Sequence, residues 1–214
     1  MTILELIEKR RSIRSFKPDS IPHEDLIAII KAGQMAPSAG DVQGWHFIVI
    51  TDALIKMKLV DMGAAIFIKN APFGILVLYD NRTQNIEYMD HIQSASAAIQ
   101  NILLAAAERN IGSCWVCQLP PKEQIRKLLD IPAHLDPIAY IVLGYHDAPP
   151  KLRPRKQVIE SVISFNEYSP TENVPLNRLN IALRRFLIRI YFALPVALRK
   201  KIYPIIDSKF TKKF

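Results

Sequence analysis

The chain has 214 residues, of which 50% are hydrophobic and 22% charged, with two cysteines and a formal charge of +8. That composition excludes a disordered chain, and the length suits one domain with a full core plus an appendage. Residues 1–175 hold 18 Lys and Arg against 19 Asp and Glu, while residues 176–214 hold 10 against Asp207 alone, so the basic excess sits in the tail. A nearly neutral globular part argues against a nucleic-acid-binding core, and no nucleic-acid partner is expected. Two cysteines do not make a disulfide framework, and no charged-then-apolar signal opens the chain, so the expected location is a reducing cytoplasm.

Residues 3–10 place Ile3, Leu6 and Ile7 on one helical face. Directly after comes Lys9-Arg10-Arg11-Ser12-Ile13-Arg14-Ser15-Phe16, with three arginines among hydroxyls. Guanidinium forks recognise phosphate, or a carbonyl-rich ring edge, in planar bidentate fashion. Ile21-Pro22-His23-Glu24-Asp25 reads as a helix start, and Leu26, Ile29, Ile30 and Gly33 carry its apolar stripe to a stop at Ala36-Pro37. The following loop, Ala36-Pro37-Ser38-Ala39-Gly40-Asp41-Val42-Gln43-Gly44, is small and polar. Such residues let backbone N–H groups approach a ligand, and Gln43 offers both a donor and an acceptor.

Trp45–Thr51 reads as a strand, and Asp52 as the cap of a helix running to about Gly63. Phe73–Tyr79 is an apolar run expected of a strand buried on both faces. From about Asn85 to Asn110, Tyr88, Ile92, Ala95, Ile99, Ile102, Leu103 and Ala106 recur at helical steps, and the small residues 94–98 would let another helix pack close. Ile111-Gly112 is expected to close that helix, with the glycine near its C-cap. A strand over Ser113–Leu119, a helix over Pro121–Leu129 and a strand over Ile138–Gly144 follow, then the basic, proline-stiffened loop 149–155. Strands separated by helices, with no glycine-rich phosphate loop, give an α+β layered fold and not a Rossmann one.

Cys114-Trp115-Val116-Cys117 has the spacing of a thiol redox pair, but it follows a helix and enters a strand. Residues three apart on a strand point to opposite faces, so buried structural cysteines are expected. The five histidines have no metal-ligand spacing, so no metal site is expected, and no hydrolase or Walker motif occurs.

R-R-S-x-R-x-F followed by A-P-S-A-G-x-x-Q-x-W-x-F resembles the nitroreductase family of flavin enzymes over roughly residues 1–165. The resemblance implies a layered fold with a mostly antiparallel central sheet flanked by helices, and a homodimer with FMN between the subunits. It assigns Arg10, Arg11, Ser12 and Arg14 to the FMN phosphate and pyrimidine edge, and Pro37, Ser38, Ala39 and Gln43 to the flavin surroundings. Asp41 stands where the family commonly has asparagine, and Gly44 where it commonly has proline; a carboxylate there disfavours an anionic reduced ring. The strand end near Cys117 and Gln118 is implied to lie by flavin N5, and Arg153 and Arg155 to supply further phosphate contacts. The long helix, with Gln100-Asn101, is implied to lie in the dimer interface. No catalytic triad is needed, because the cofactor carries the chemistry. The implied activity is hydride transfer from NAD(P)H through FMN to a small electron-poor acceptor, such as a nitroaromatic or quinone. A specialised flavin reaction on the same fold (dehalogenation, flavin fragmentation, metabolite dehydrogenation) and a non-catalytic flavin-binding module tethered to a membrane surface are the alternatives.

The resemblance ends near Phe165, and the second segment, 166–214, reads as a linker followed by a helical C-terminal tail. Residues 177–194 set Arg178, Arg185 and Arg189 opposite Leu179, Leu183, Phe186, Leu187 and Ile190, and Pro195 then interrupts. Basic residues and Pro195 exclude a spanning helix. An anionic membrane surface met by residues 177–214 and an arm around the other subunit are the two readings.

Overall fold

The structure is a computed structural model that describes residues 2–82, 85–147, 154–169 and scattered positions between 182 and 198. Arg153, the expected linker beyond 169 and nearly all of the basic tail lie outside the described residues. The chain divides into two units, Met1–Pro150 with Pro195–Phe214, and Lys151–Leu194. In the second, Ile159–Val162 forms a single 3-10 turn, and Ser164 Oγ accepts from Ser169 N–H at 3.1 Å.

The first unit holds five α-helices and four strands among the described residues: α1 (Ile3–Lys9), α2 (His23–Gln34), β1 (Trp45–Ile50), α3 (Ala53–Asp61), β2 (Phe73–Asp80), α4 (Asp90–Glu108), β3 (Gly112–Val116), α5 (Lys122–Leu129) and β4 (Leu135–Gly144). The expected α+β layering is observed. The sheet order is β1-β2-β4-β3, and every strand pair is antiparallel. A short segment extends the sheet beyond β3, where Ser12 makes a parallel bridge to Ser113.

Side chains alternate across the strands, and both faces are covered. Ile75, Val77, Ile141 and Leu143 pack with Leu26 and Ile29 of α2 and with Ile99, Ile102 and Leu103 of α4. On the other face Leu76, Tyr140, Val142 and Val116 pack with Leu59 of α3 and Ile125 of α5. Tyr140 needs the bare backbone of Gly74 beside it, because a Cβ there would fall 1.8 Å from its hydroxyl oxygen.

Local capping chemistry sets the helix starts. Thr2 and Glu5 form a reciprocal capping box at α1, and Asp52 accepts from Leu54 N–H at 2.6 Å at α3. Several boundaries differ from the sequence reading. α4 begins at Asp90, and Ile86, Tyr88 and Met89 before it are exposed. Asn110, not Gly112, takes the left-handed conformation after that helix (φ 57°). Gly112 instead opens β3, where a Cβ would press within 2.7 Å of His146. β4 starts three residues earlier than its apolar run, and Pro137 is accommodated where the β2–β4 register shifts at Val77/Leu78. A residue without an N–H suits an irregularity in the ladder. On α1 only Leu6 is buried; Ile3 and Ile7 stand exposed.

Candidate functional site

The arginine-rich motif begins where α1 ends. Arg10 is the C-cap, its N–H bonding Leu6 O, and Arg11 folds back so that Nη1 donates to Arg10 O at 2.7 Å and to Glu8 O. One arm of Arg11 therefore closes a helix end, satisfying carbonyls that the last turn leaves open. Ile13 N–H then bonds Ser113 O at 2.9 Å, and the buried Ile13 side chain pins the segment to β3. Arg10 and Arg14 are half-buried, and the Arg14 guanidinium lies 5.9 Å from the centre of the Phe67 ring.

Cys114 lies beneath this segment. Burial pushes its thiol up, against the opposing pull of Arg14, a hydrogen bond with Ser12, and Arg10. It is a structural thiol, as the sequence implied. Cys117 departs from that expectation: it follows the end of β3 and is exposed. Gln118 next to it is tied into the turn after α3, its carbonyl accepting from Ala65 N–H at 3.1 Å and its Nε2 donating to Gly63 O at 3.3 Å. The structure thus gathers Arg10, Ser12, Arg14, Cys117 and Gln118 at the β3 edge of the sheet.

The loop 36–44 leads into β1, at the opposite edge. Gly40, Asp41 and Gln43 all have left-handed backbone (φ 59°, 52° and 50°). For the two non-glycine residues this costs on the order of 1–2 kcal/mol each, so something outside must hold them. Ser38 Oγ accepts from Gln43 N–H at 2.8 Å and sits 2.8 Å from the Tyr79 hydroxyl. Ala39 N–H donates to Ser94 Oγ at 3.0 Å, and Ser94 donates in turn to Asp90 O at 2.9 Å. Gly44 lies so close to β2 that a Cβ would stand 2.9 Å from Asp80 Cβ.

Burial favours one direction for these bonds. Tyr79 is 2% exposed, and Ser38 Oγ is the one hydrogen-bond partner of its hydroxyl among the described residues. Either oxygen can donate in this pair, and donation by Tyr79 is the arrangement that pairs its buried proton. In that arrangement Ser38 Oγ accepts twice, from Tyr79 and from Gln43 N–H, and keeps its own O–H as a donor. Asp41 orients Gln43 in the same way. A carboxylate only accepts, so Gln43 Nε2 donates to Asp41 Oδ1 at 2.7 Å and Oε1 is left as an acceptor. Pro37 and Ala39 are exposed beside them.

Neither Tyr79 nor Ser94 was singled out by sequence reasoning, which took one for strand core and the other for a small packing residue. The available signal was a hydroxyl inside an apolar stripe, because a buried polar group demands a partner. At the end of β2, Arg82 holds the Asp80 carboxyl down to about 2 by a direct hydrogen bond. Arg155 is exposed in the second unit.

A family model described as the nitroreductase family matches residues 7–67 and 59–145. A protein of Archaeoglobus fulgidus, named provisionally as an NADH dehydrogenase/NAD(P)H nitroreductase, is 38% identical over 146 residues, covering 66% of this chain and 84% of its own. The structure of an FMN-dependent nitroreductase from Clostridium difficile R20291 matches with a TM-score of 0.68 at 30% identity, over 77% of this chain and 99% of that one. Oxidised iodotyrosine deiodinase bound to FMN and 3-iodo-L-tyrosine matches with a TM-score of 0.67 at 25% identity, over 78% of this chain and 100% of that one.

Proposed function

The chain belongs to the nitroreductase family, an enzyme family of flavin oxidoreductases, and from that premise we propose that it is a homodimer binding FMN between two copies and using NAD(P)H to reduce small electron-poor molecules. The observation that carries this reading is the placement of the two motifs. Ser12 extends the sheet beyond β3, whereas Ser38 and Gln43 precede β1. Four interstrand spacings, about 19 Å, separate these edges, and both sheet faces between them are covered by helices. A second copy bringing its loop to the arginine edge completes the set.

The donor set fits FMN. Two half-buried guanidinium groups and the Ser12 hydroxyl at one end of a sheet suit a phosphate and a carbonyl-bearing ring edge. The Ser38 O–H and Gln43 Oε1 offer one donor and one acceptor for a ring that has both. Bound there, FMN supplies acceptance of hydride at N5 and its delivery onward. The chain's own part is to bind and orient. Arg10, Ser12 and Arg14 would hold the phosphate side, and Ser38, Ala39, Asp41 and Gln43 would line the ring with Pro37. Gln118, fixed by Gly63 and Ala65, and Cys117 before it would offer backbone groups to the flavin. Asp41 disfavours negative charge on the reduced ring.

The likeness to iodotyrosine deiodinase over the whole length of that chain favours reductive dehalogenation as the second reading. One experiment addresses both. The purified protein should be yellow, bleach anaerobically with NADH or NADPH, and recover colour on adding a nitroaromatic or quinone. Recovery only with 3-iodotyrosine would favour the second reading. A colourless protein that FMN does not reconstitute would overturn both.

A further inference from the structure

The described helical positions of the tail carry an uncovered apolar stripe. Ala182, Leu183, Phe186, Leu187, Arg189 and Ile190 are helical, and Leu183, Phe186, Leu187 and Ile190 are 54%, 59%, 54% and 42% exposed. Their spacing of three, four and seven residues sets all four on one face. Arg189, exposed and helical like them, falls outside that face. Residues 176–214 carry ten Lys and Arg against one acidic residue, with Phe210 and Phe214 interleaved at the end. No helix among the described residues is long and apolar enough to cross a membrane.

An exposed apolar stripe with an aromatic, a strongly basic sequence around it and a break at Pro195 describe a segment that lies in a lipid–water interface rather than one that spans it. Charge decides between the candidate occupants. Residues 1–175 carry a balance of −1 spread over both signs, so a second copy of this chain offers no anionic field to match a tail of +9. A leaflet containing anionic lipid does, and its attraction adds to burial of the stripe. We propose that residues 177–214 dock this enzyme on an anionic membrane surface, with Leu183, Phe186, Leu187 and Ile190 entering the acyl boundary.

The test is co-sedimentation of the full chain with phosphatidylcholine vesicles, with and without phosphatidylglycerol. Binding to the anionic vesicles should be roughly tenfold or more tighter and should weaken as salt rises. A triple substitution, Phe186→Ser with Leu187→Ser and Ile190→Ser, should abolish that binding while leaving the thermal melt and the mass in solution unchanged. Equal binding to both vesicle types would overturn the proposal. So would a variant that still sediments like the wild type, since charge alone would then suffice. A variant that instead loses half its mass in solution would overturn it too, and would assign the stripe to the partner subunit.

Discussion

A buried hydroxyl needs a hydrogen-bond partner, and for Tyr79 it is Ser38 Oγ, 2.8 Å away. Tyr79→Phe removes that bond and little else, because the ring keeps its edge contact with Trp45 at 6.0 Å. FMN affinity should fall roughly 3–10-fold, the effect of one ordinary hydrogen bond. In a Ser38→Ala background the same change should cost nothing further, because both act through one oxygen; fluorescence titration of FMN reads both numbers. Tyr140 makes the opposite case. Its hydroxyl is buried without a hydrogen-bond partner among the described residues, and burial raises its pKa far above the usual phenol range. Tyr140→Phe should therefore be neutral or up to about 1 kcal/mol stabilising in urea unfolding. Asp80 gives a pH dependence. Its carboxyl, held at about 2 by the Arg82 hydrogen bond, has a folded pKa below its unfolded one, so its contribution is present above about pH 4 and is lost as pH falls toward 2. Wild type should thus be more stable than Arg82→Gln at pH 6, with the difference vanishing across that acid window.

At the scale of elements, α2 and α4 cross closely. A Cβ on Gly33 would lie 2.8 Å from the Ile102 side chain, and Asn101 reaches across to Ala32 O at 3.0 Å. Ala95, Ala98 and Ala106 are fully buried along α4. Ala98→Leu should cost about 1–3 kcal/mol by overpacking this crossing, read as a lower urea midpoint at unchanged slope. The sequence showed that some helix would pack close on α4, because residues 94–98 are small, but it did not say that α2 is that helix. Residues 85–89 were misread for a related reason: Tyr88 continues the apolar period, but nothing in the period says that the chain has not yet become helical. β3 was drawn too long because an apolar run does not stop where pairing stops, and β4 too short because Pro137 hides a strand. The two motifs stood out in the sequence as a pair, arginines among hydroxyls followed by a small-residue loop. Their hydroxyl supports did not, because Tyr79 and Ser94 become partners of the loop only once β2, α4 and the loop are assembled.

At the scale of the molecule, strand order sets the two motifs at opposite edges of the sheet. No local pattern announces that β1 and the Ser12 segment are the outer members of the sheet; the order β1-β2-β4-β3 decides it. In the proposed homodimer, a symmetric pair of chains would hold two equivalent sites, each made of one chain's arginine segment and the other's loop. This is the central claim, and subunit mixing tests it most directly. Arg10→Ala/Arg14→Ala breaks one half-site and Ser38→Ala/Gln43→Ala the other, so each variant alone should bind FMN poorly. After the two are mixed and allowed to exchange subunits, mixed pairs regain one intact site, and about a quarter of the wild-type FMN should be retained on a desalting column. Retention no greater than that of the separate variants, in a mixture whose subunits have exchanged, would contradict a shared site and place all the flavin contacts within one chain.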